Sequence, residues 1–324
     1  MAVPSTQARP VASIPSTATI RVSQVSKFYG DVVAVSDVSF TLDPGVTALL
    51  GPNGAGKSTM LEMLTGLLRP STGKIEILGR SVRGDRQLYR QIGLVPEQEH
   101  MYPFLTGREF LYLNAVLQDV ADPADAAQKA LEAVDLVDDG DRKLGGYSKG
   151  MRQRAKIAAA LVHDPQVLLM DEPLSGTDPI QRLRTIELIN RLGEEGRTVL
   201  VSSHVLDEVE RFADRILVIV NGKLAAAGNF HTIRDRMDEQ ASKIRVRSTE
   251  PRRFASVLIQ EPSVQSVAMI KSDGTPPAIS VEAGDVRTFY RSVATLAARE
   301  AITLYEVAAM DDSLASVFAY VVGR

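Results

Sequence analysis

The chain of 324 residues has no cysteine, which excludes disulfides and thiolate metal sites and fits a reducing compartment. It also lacks any stretch near the ~20 apolar residues that a membrane-spanning helix requires; runs such as 216–220 are of buried-strand length. The expectation is a chain that does not cross a membrane by itself. An excess of one charge is missing too: 37 Lys and Arg against 40 Asp and Glu give a formal net charge of −3. That balance supplies no global attraction for nucleic acid or an anionic membrane surface, so no direct nucleic-acid partner is expected. Residues 1–18 are rich in Pro, Ser, Thr and Ala, lack the apolar core of a secretory signal, and read as a disordered tail. The composition, 44% hydrophobic and 24% charged, describes a globular protein, and at this length two domains is the better expectation.

The most informative stretch is Gly51-Pro52-Asn53-Gly54-Ala55-Gly56-Lys57-Ser58-Thr59, which fits the G-x-x-x-x-G-K-[ST] pattern of a phosphate-binding loop. Apolar residues 46–50 feed it as a strand, and 60–64 leave it as a helix. Gly51, Gly54 and Gly56 are expected to allow positive φ and to bring backbone N–H groups within reach of phosphate oxygens. The helix N-terminus adds its positive dipole end. Lys57 is placed for the β- and γ-phosphates and the Ser58 hydroxyl for Mg²⁺, with Thr59 supporting the turn.

Short β-patterned runs at 19–25, 38–42 and 46–50, with turns at Gly30-Asp31 and Asp43-Pro44-Gly45, predict a mixed sheet beside the loop. The pattern turns helical between 106 and 162, a helical insert. Strands at 167–170, 198–202 and 215–220 then alternate with helices at 180–192 and 205–213, as in a largely parallel sheet. Asn221-Gly222 marks a hairpin turn. A second unit is predicted from about residue 241, with strands at 243–247, 264–270, 278–281 and 302–307 and helices at 251–259, 285–298 and 313–321. Up to the last helix its β-α-β-β-α-β order predicts a ferredoxin-like layer.

Two further motifs carry chemistry. Residues 167–170 are an apolar strand ending in Asp171-Glu172-Pro173; Asp171 suits a Mg²⁺ role, directly or through water, and Glu172 that of a general base toward water. Paired acids after a strand are a weak signal alone and a strong one behind a phosphate loop. Tyr147-Ser148-Lys149-Gly150-Met151 runs straight into an apolar helix, with Ser148 as N-cap and several N–H groups free to face an anion.

With these motifs in this order, residues 19–237 resemble the ATP-binding subunit of ABC transporters, whose L-S-G-G-Q signature is matched at Ser148 and Gly150 and departed from at Tyr147, Lys149 and Met151. The resemblance implies an α/β P-loop NTPase fold of ABC type over 19–240, with the helical subdomain at about 100–163 and a small α+β ferredoxin-like accessory or dimerisation domain at 241–324. It implies that Tyr29 stacks on adenine, that Ser175-Gly176-Thr177-Asp178 is the D-loop with Thr177 in place of a common Leu, and that His204 contacts the γ-phosphate. The Q-loop position after Pro96 is Glu97, a carboxylate able to bind Mg²⁺ or water, with Gln98 as the alternative. Tyr102-Pro103-Phe104-Leu105-Thr106 resembles the surface that receives a permease. The implied activity is Mg²⁺-dependent ATP hydrolysis by two copies of this or a related subunit, each ATP held by one chain's loop and the other's Ser148 region, driving a transmembrane permease from the cytoplasmic face. Tyr-Ser-Lys-Gly-Met, Pro-Glu and the 313–318 segment resemble subunits paired with ABC-2 type permeases, which favours export. The competing class is a soluble ABC ATPase acting on ribosomes or nucleic acid.

Overall fold

The computed structural model describes residues 18–98, 101–213, 215–229, 242–270 and 278–310. Apart from residue 18, the expected tail lies outside these residues, as does the helix expected at 313–321.

Strands β1 (Ile20–Tyr29), β2 (Val32–Leu42) and β3 (Gly45–Leu50) begin the chain. β1 pairs antiparallel with β2 and with β4 (Thr72–Ile77), and β5 (Arg80–Ser81) completes a sheet in the order β2-β1-β4-β5. Both long strands are bulged. Gln24 and Asp37 take φ of +50° and +49°, and their N–H groups donate to Ser39 Oγ at 2.8 Å and Ser26 Oγ at 2.9 Å. Serine hydroxyls thus take over where the ladder is interrupted. β4 and β5 escape a sequence reading because one opens on Thr-Gly-Lys and the other is a single dipeptide.

The second sheet has the order β10-β9-β3-β8-β7-β6, its new members being β6 (Ile92–Val95), β7 (Val167–Asp171), β8 (Thr198–Ser203), β9 (Arg215–Val220) and β10 (Lys223–Gly228). β6, β7 and β8 run parallel, and every residue of β7 and β8 is buried, as expected for strands covered on both faces. At the β9–β10 turn, Asn221 and Gly222 take φ of +48° and +75°, the two positive values that a type I′ hairpin needs.

Helices α1 (Lys57–Leu64) and α2 (Arg86–Tyr89) precede β6. Between β6 and β7 lie α3 (Gly107–Leu117), α4 (Pro123–Ala133) and α5 (Lys149–Leu161), which pack through fully buried Leu111, Ala115, Ala127, Leu131 and Ala158. Each starts on a side-chain cap: Thr106 in a reciprocal box with Glu109, Asp122 ahead of Pro123, and Ser148. Such caps contribute about 1 kcal/mol each. α6 (Pro179–Glu194) is capped by Asp178. The helix expected over 205–213 is shorter: α7 covers Leu206–Val209, and the Phe212 and Ala213 N–H groups both fold back on the Val209 carbonyl in a closing turn.

The C-terminal sheet has the order β12-β13-β11-β14, all neighbours antiparallel, from β11 (Ser242–Ser248), β12 (Val264–Ile270), β13 (Ala278–Ala283) and β14 (Leu304–Ala309). Helices α8 (Pro251–Leu258) and α9 (Val286–Arg299) complete the ferredoxin-like βαββαβ order. Phe254 and Phe289 are fully buried against Ile244, Val246 and Val281, each burial giving about 2–3 kcal/mol. β14 starts at Leu304 rather than 302. Ala301 takes φ +55°, its N–H donates to Ala298 O, and Ile302 N–H donates to Ala297 O at 2.8 Å. This Schellman closure consumes Ile302, which buries its side chain in the core instead of extending the strand.

His163, just beyond α5, sets Nε2 3.2 Å from Ile92 O, and its buried Nδ1 has no hydrogen-bond partner among the described residues. Burial pushes its pKa down, with the bond to Ile92 opposing more weakly. The unfolded chain therefore binds the proton more readily, so stability is lost as pH falls below the ordinary histidine value of about 6.5. Thermal denaturation at about pH 7 and about pH 5.5 is expected to show a loss on acidification that His163→Gln reduces. An equal loss in both proteins would remove His163 as its source.

Candidate nucleotide site

The phosphate-binding loop is shaped by two of its three glycines. Gly54 and Gly56 take φ of +78° and +104°. Gly51, expected to share that role, is buried at the end of β3 and is not in the positive-φ region. Gly56 is the N-cap of α1, and a Cβ there would stand 2.6 Å from Ala34 O and 3.3 Å from Val35 Cγ2. No side chain can replace it without moving β2. The loop is also braced by the hairpin turn: Gly222 N–H donates to Ala55 O at 3.0 Å, and Gly222 O accepts from Ser36 N–H at 2.7 Å. The result is a fixed concave backbone at a helix N-terminus, suited to an anion. Pro52, Asn53 and Thr59 complete the loop and the first turn, where Ser58 is exposed.

Lys57 points inward. Its Nζ lies 3.6 Å from Glu172 Oε1, and the two side chains are only 7% and 9% exposed. Glu172 directly follows β7 in the left-handed region, φ +48°, a conformation that a non-glycine residue adopts at a cost and keeps only where its surroundings hold it. Ser202 does the holding. The parallel register sets Ser202 opposite Asp171; its Oγ donates to Asp171 Oδ1 at 2.5 Å and accepts from Glu172 N–H at 2.9 Å. One hydroxyl thus holds the Asp171 carboxylate and the Glu172 backbone. Sequence reading missed Ser202, whose only signal is a hydroxyl at the end of the apolar run 199–201, next to a second serine. Among the described residues no group of three His or acidic side chains could hold a metal alone. Mg²⁺ commonly takes one or two protein oxygens and completes its shell with phosphate and water, and Asp171 and Ser58 fit that pattern.

The remaining predicted residues sit at the ends of their own elements. Ser148 caps α5, its Oγ accepting from Met151 N–H at 3.2 Å; Lys149 and Gly150 open the helix. Tyr147 is buried, donates to Asp139 O at 2.8 Å, and fills the space that a Cβ on Gly107 would need. Burial raises its phenol pKa. The Lys149 side chain lies across Gly176, which takes φ +69°, so the signature and the 175–178 turn are packed together within one chain. Asp178 accepts from the N–H groups of Ile180 and Gln181 at 3.0 and 2.9 Å. Tyr29 ends β1 half exposed, with Lys27 Nζ 5.0 Å from its ring centroid. Glu97 and Gln98 follow β6 and are exposed, and Lys156 holds the Glu97 backbone. His204 follows β8 and is exposed. Among the described residues, Tyr29, Glu97 and Ser148 make no hydrogen bond or ion pair to Lys57, Asp171 or Glu172.

Ser202→Ala removes the donor to Asp171 and leaves the Glu172 N–H without its acceptor. A loss of about 1–3 kcal/mol in urea denaturation is expected. A change within about 0.5 kcal/mol, the range of neutral surface substitutions, would show that the bridge contributes nothing.

The ABC transporter family model matches residues 35–175. An uncharacterized ABC transporter ATP-binding protein of Nostoc sp. is 42% identical over 205 residues; the match covers 61% of this chain, which thus spans 60% of that relative's length. The daunorubicin/doxorubicin resistance ATP-binding protein DrrA of Streptomyces peucetius is 34% identical over 285 residues, 86% of this chain and 85% of that protein. A dimeric ATP-binding cassette solved in a post-hydrolysis state bound to ADP and Pi superposes with a TM-score of 0.60 at 25% identity, covering 65% of this chain and 98% of that one. The glycine cradle, the Lys57–Glu172 pair and the capped Ser148 helix lie within the matched residues, and the chain belongs to the family of ABC transporter ATP-binding proteins.

Proposed function

We propose that the chain is the Mg²⁺-dependent ATP-hydrolysing subunit of an ABC-2 type exporter, working as a pair of copies on the cytoplasmic face of a membrane permease. The observation that carries this is the knot of Lys57, Asp171 and Glu172 on Ser202, directly behind a loop built for phosphate. In this reading the 51–59 loop wraps the phosphates and Tyr29 offers adenine the ring face away from Lys27. Ser58 and Asp171 hold the ion, with Glu97, or Gln98 in its place, beside the attacking water. An Mg²⁺ held there would supply positive charge to offset that developing on the phosphate oxygens.

Lys57 changes partner in this scheme. Without nucleotide it pairs with Glu172; a γ-phosphate beside Lys57 competes for that cation and leaves the Glu172 carboxylate to take a proton from water. The Ser202 bond and the left-handed backbone hold Glu172 in position for this, and His204 contacts the γ-phosphate from the end of β8. Ser148, Lys149, Gly150, Met151 and Asp178 face the nucleotide of the second copy, so each site needs two chains. The dimeric cassette with ADP and Pi supports this arrangement, and drug resistance, which the name of the Streptomyces relative gives, is an outcome that export would produce. Residues 19–240 form the ATP-binding domain and 241–324 an accessory domain that supports the pair.

A partner surface also fits. Tyr102 and Phe104 are exposed with ring centroids 5.8 Å apart, and α3 presents exposed Tyr112, Leu113, Val116 and Leu117. Phe104 and Leu117 are 67% and 72% exposed, and the spacing of Tyr112, Leu113, Val116 and Leu117 sets them on one side of α3, an apolar stripe suited to a partner. No helix among the described residues is long and apolar enough to cross a membrane.

Glu172→Gln is expected to cut phosphate release by about 10²-fold or more and to accumulate an ATP-bound dimer on gel filtration. Unchanged turnover would remove Glu172 as the base. For the partner, Phe104→Asp with Leu117→Asp should keep ATP binding but lose co-purification with an integral membrane protein in detergent. Recovery of the wild-type chain with ribosomes or DNA instead would overturn the transporter reading.

A further inference from the structure

Lys156 lies in the middle of α5, 6% exposed, with Nζ donating to Pro96 O at 2.8 Å and Glu97 O at 3.0 Å. A buried lysine is rare and costly, and packing alone would be served by leucine or methionine. Its acceptors are informative. The β6–β7 ladder ends at the pair Val95 and Met170, so both carbonyls belong to backbone that has just left the sheet. Lys156 is the donor that keeps that backbone against α5.

The same helix and its end grip β6 at two other levels. The His163 ring meets Ile92 O, and Gly93 lies so close to the Ala160 carbonyl that a Cβ there would collide with it. Residues 92–97 and α5 are therefore one mechanical body, with Lys156 as the polar bond at the end nearest Glu97. Ser148 caps that body at its other end, eight residues or about 12 Å along the helix axis from Lys156.

We propose that Lys156 is a positioning residue that couples the two ATP sites of the pair, tying the Ser148 end of α5, which faces one nucleotide, to Glu97, which serves the other. This rests on the two-copy reading above. Displacement of Ser148 as the copies close moves the 96–97 backbone through the Lys156 bonds, and an ATP bound at one site thereby sets the Glu97 carboxylate at the second. Lys156 touches neither nucleotide, so its loss affects coordination between sites and not the affinity of either alone.

The test is the ATP dependence of phosphate release by the full-length chain. The wild type is expected to show a Hill coefficient above 1, up to about 2 for two sites. Lys156→Met should bring it to about 1 and lower kcat about threefold or more, with the ATP concentration at half-maximal rate within about twofold. Lys156→Arg, which keeps the donors, should restore cooperativity and kcat. Wild-type cooperativity in Lys156→Met overturns the proposal, as does failure of Lys156→Arg to restore it or a wild-type Hill coefficient of 1. If Lys156→Met does not fold, Lys156→Gln, with one short amide donor, takes its place: an intermediate coefficient supports the coupling and an unchanged one overturns it. Gel filtration of Glu172→Gln with ATP separates the two levels. A monomer there sinks the two-copy reading together with the coupling, whereas a dimer alongside unchanged cooperativity in the Lys156 variant sinks the coupling alone.

Discussion

One hydroxyl carries the geometry of the site. Ser202 donates to Asp171 and accepts from the Glu172 amide, and it can do both only because β7 and β8 run parallel with Asp171 directly opposite Ser202. A slip of one residue would turn Ser202 to the other face and leave the Asp171 carboxylate and the Glu172 amide without that common partner. The left-handed backbone of Glu172 and its approach to Lys57 both follow from this register. A buried cation–carboxylate pair is a poor source of stability, because desolvation offsets most of the attraction. In the proposed function its value lies in poise, since a phosphate would compete for the lysine.

The rest of the ATP-binding fold supplies rigid mounts for that knot. The loop is stiffened from two directions, by Ala34 of β2 pressing on Gly56 and by the hairpin glycine Gly222 bonded to Ala55 and Ser36. Neither Ala34 nor Gly222 belongs to the loop itself, yet both limit where the loop's N–H groups can point. Preorganised donors are effective because they need no rearrangement when charge arrives. α5 is mounted in a comparable way on β6, by a ring, a close backbone approach and a lysine. The variant Tyr147 is accommodated by the same kind of exchange: its hydroxyl occupies the room left by Gly107 and is satisfied by Asp139 O, so a bulkier polar residue stands at that position without an unpaired group.

Much of this was legible beforehand for local reasons. The strand, loop and helix around Gly51–Thr59, the Ser148 cap and the βαββαβ order of the C-terminal layer each follow from short-range pattern, and they stand where the pattern placed them. The misses also have local causes. Gly51 was grouped with Gly54 and Gly56, although a glycine in a motif need not use its freedom. Ile302 reads as strand because it is apolar, but the helix before it closes on its N–H. β4 and β5 carry little β-pattern and exist because β1 offers β4 an edge and β4 in turn offers one to β5.

Sequence alone determined the chemical inventory of this protein: a phosphate loop, two acids after a buried strand, a serine-capped helix, and no cysteine or long apolar run. These are one-dimensional facts because each depends on residue type and spacing within a single turn or strand. Only the tertiary structure decided which groups support the inventory. Ser202 lies 31 residues from Asp171 and Lys156 lies 60 from Pro96. Such partners are chosen by strand register and helix docking, which bring distant residues together through packing and leave almost no mark on the sequence near either one.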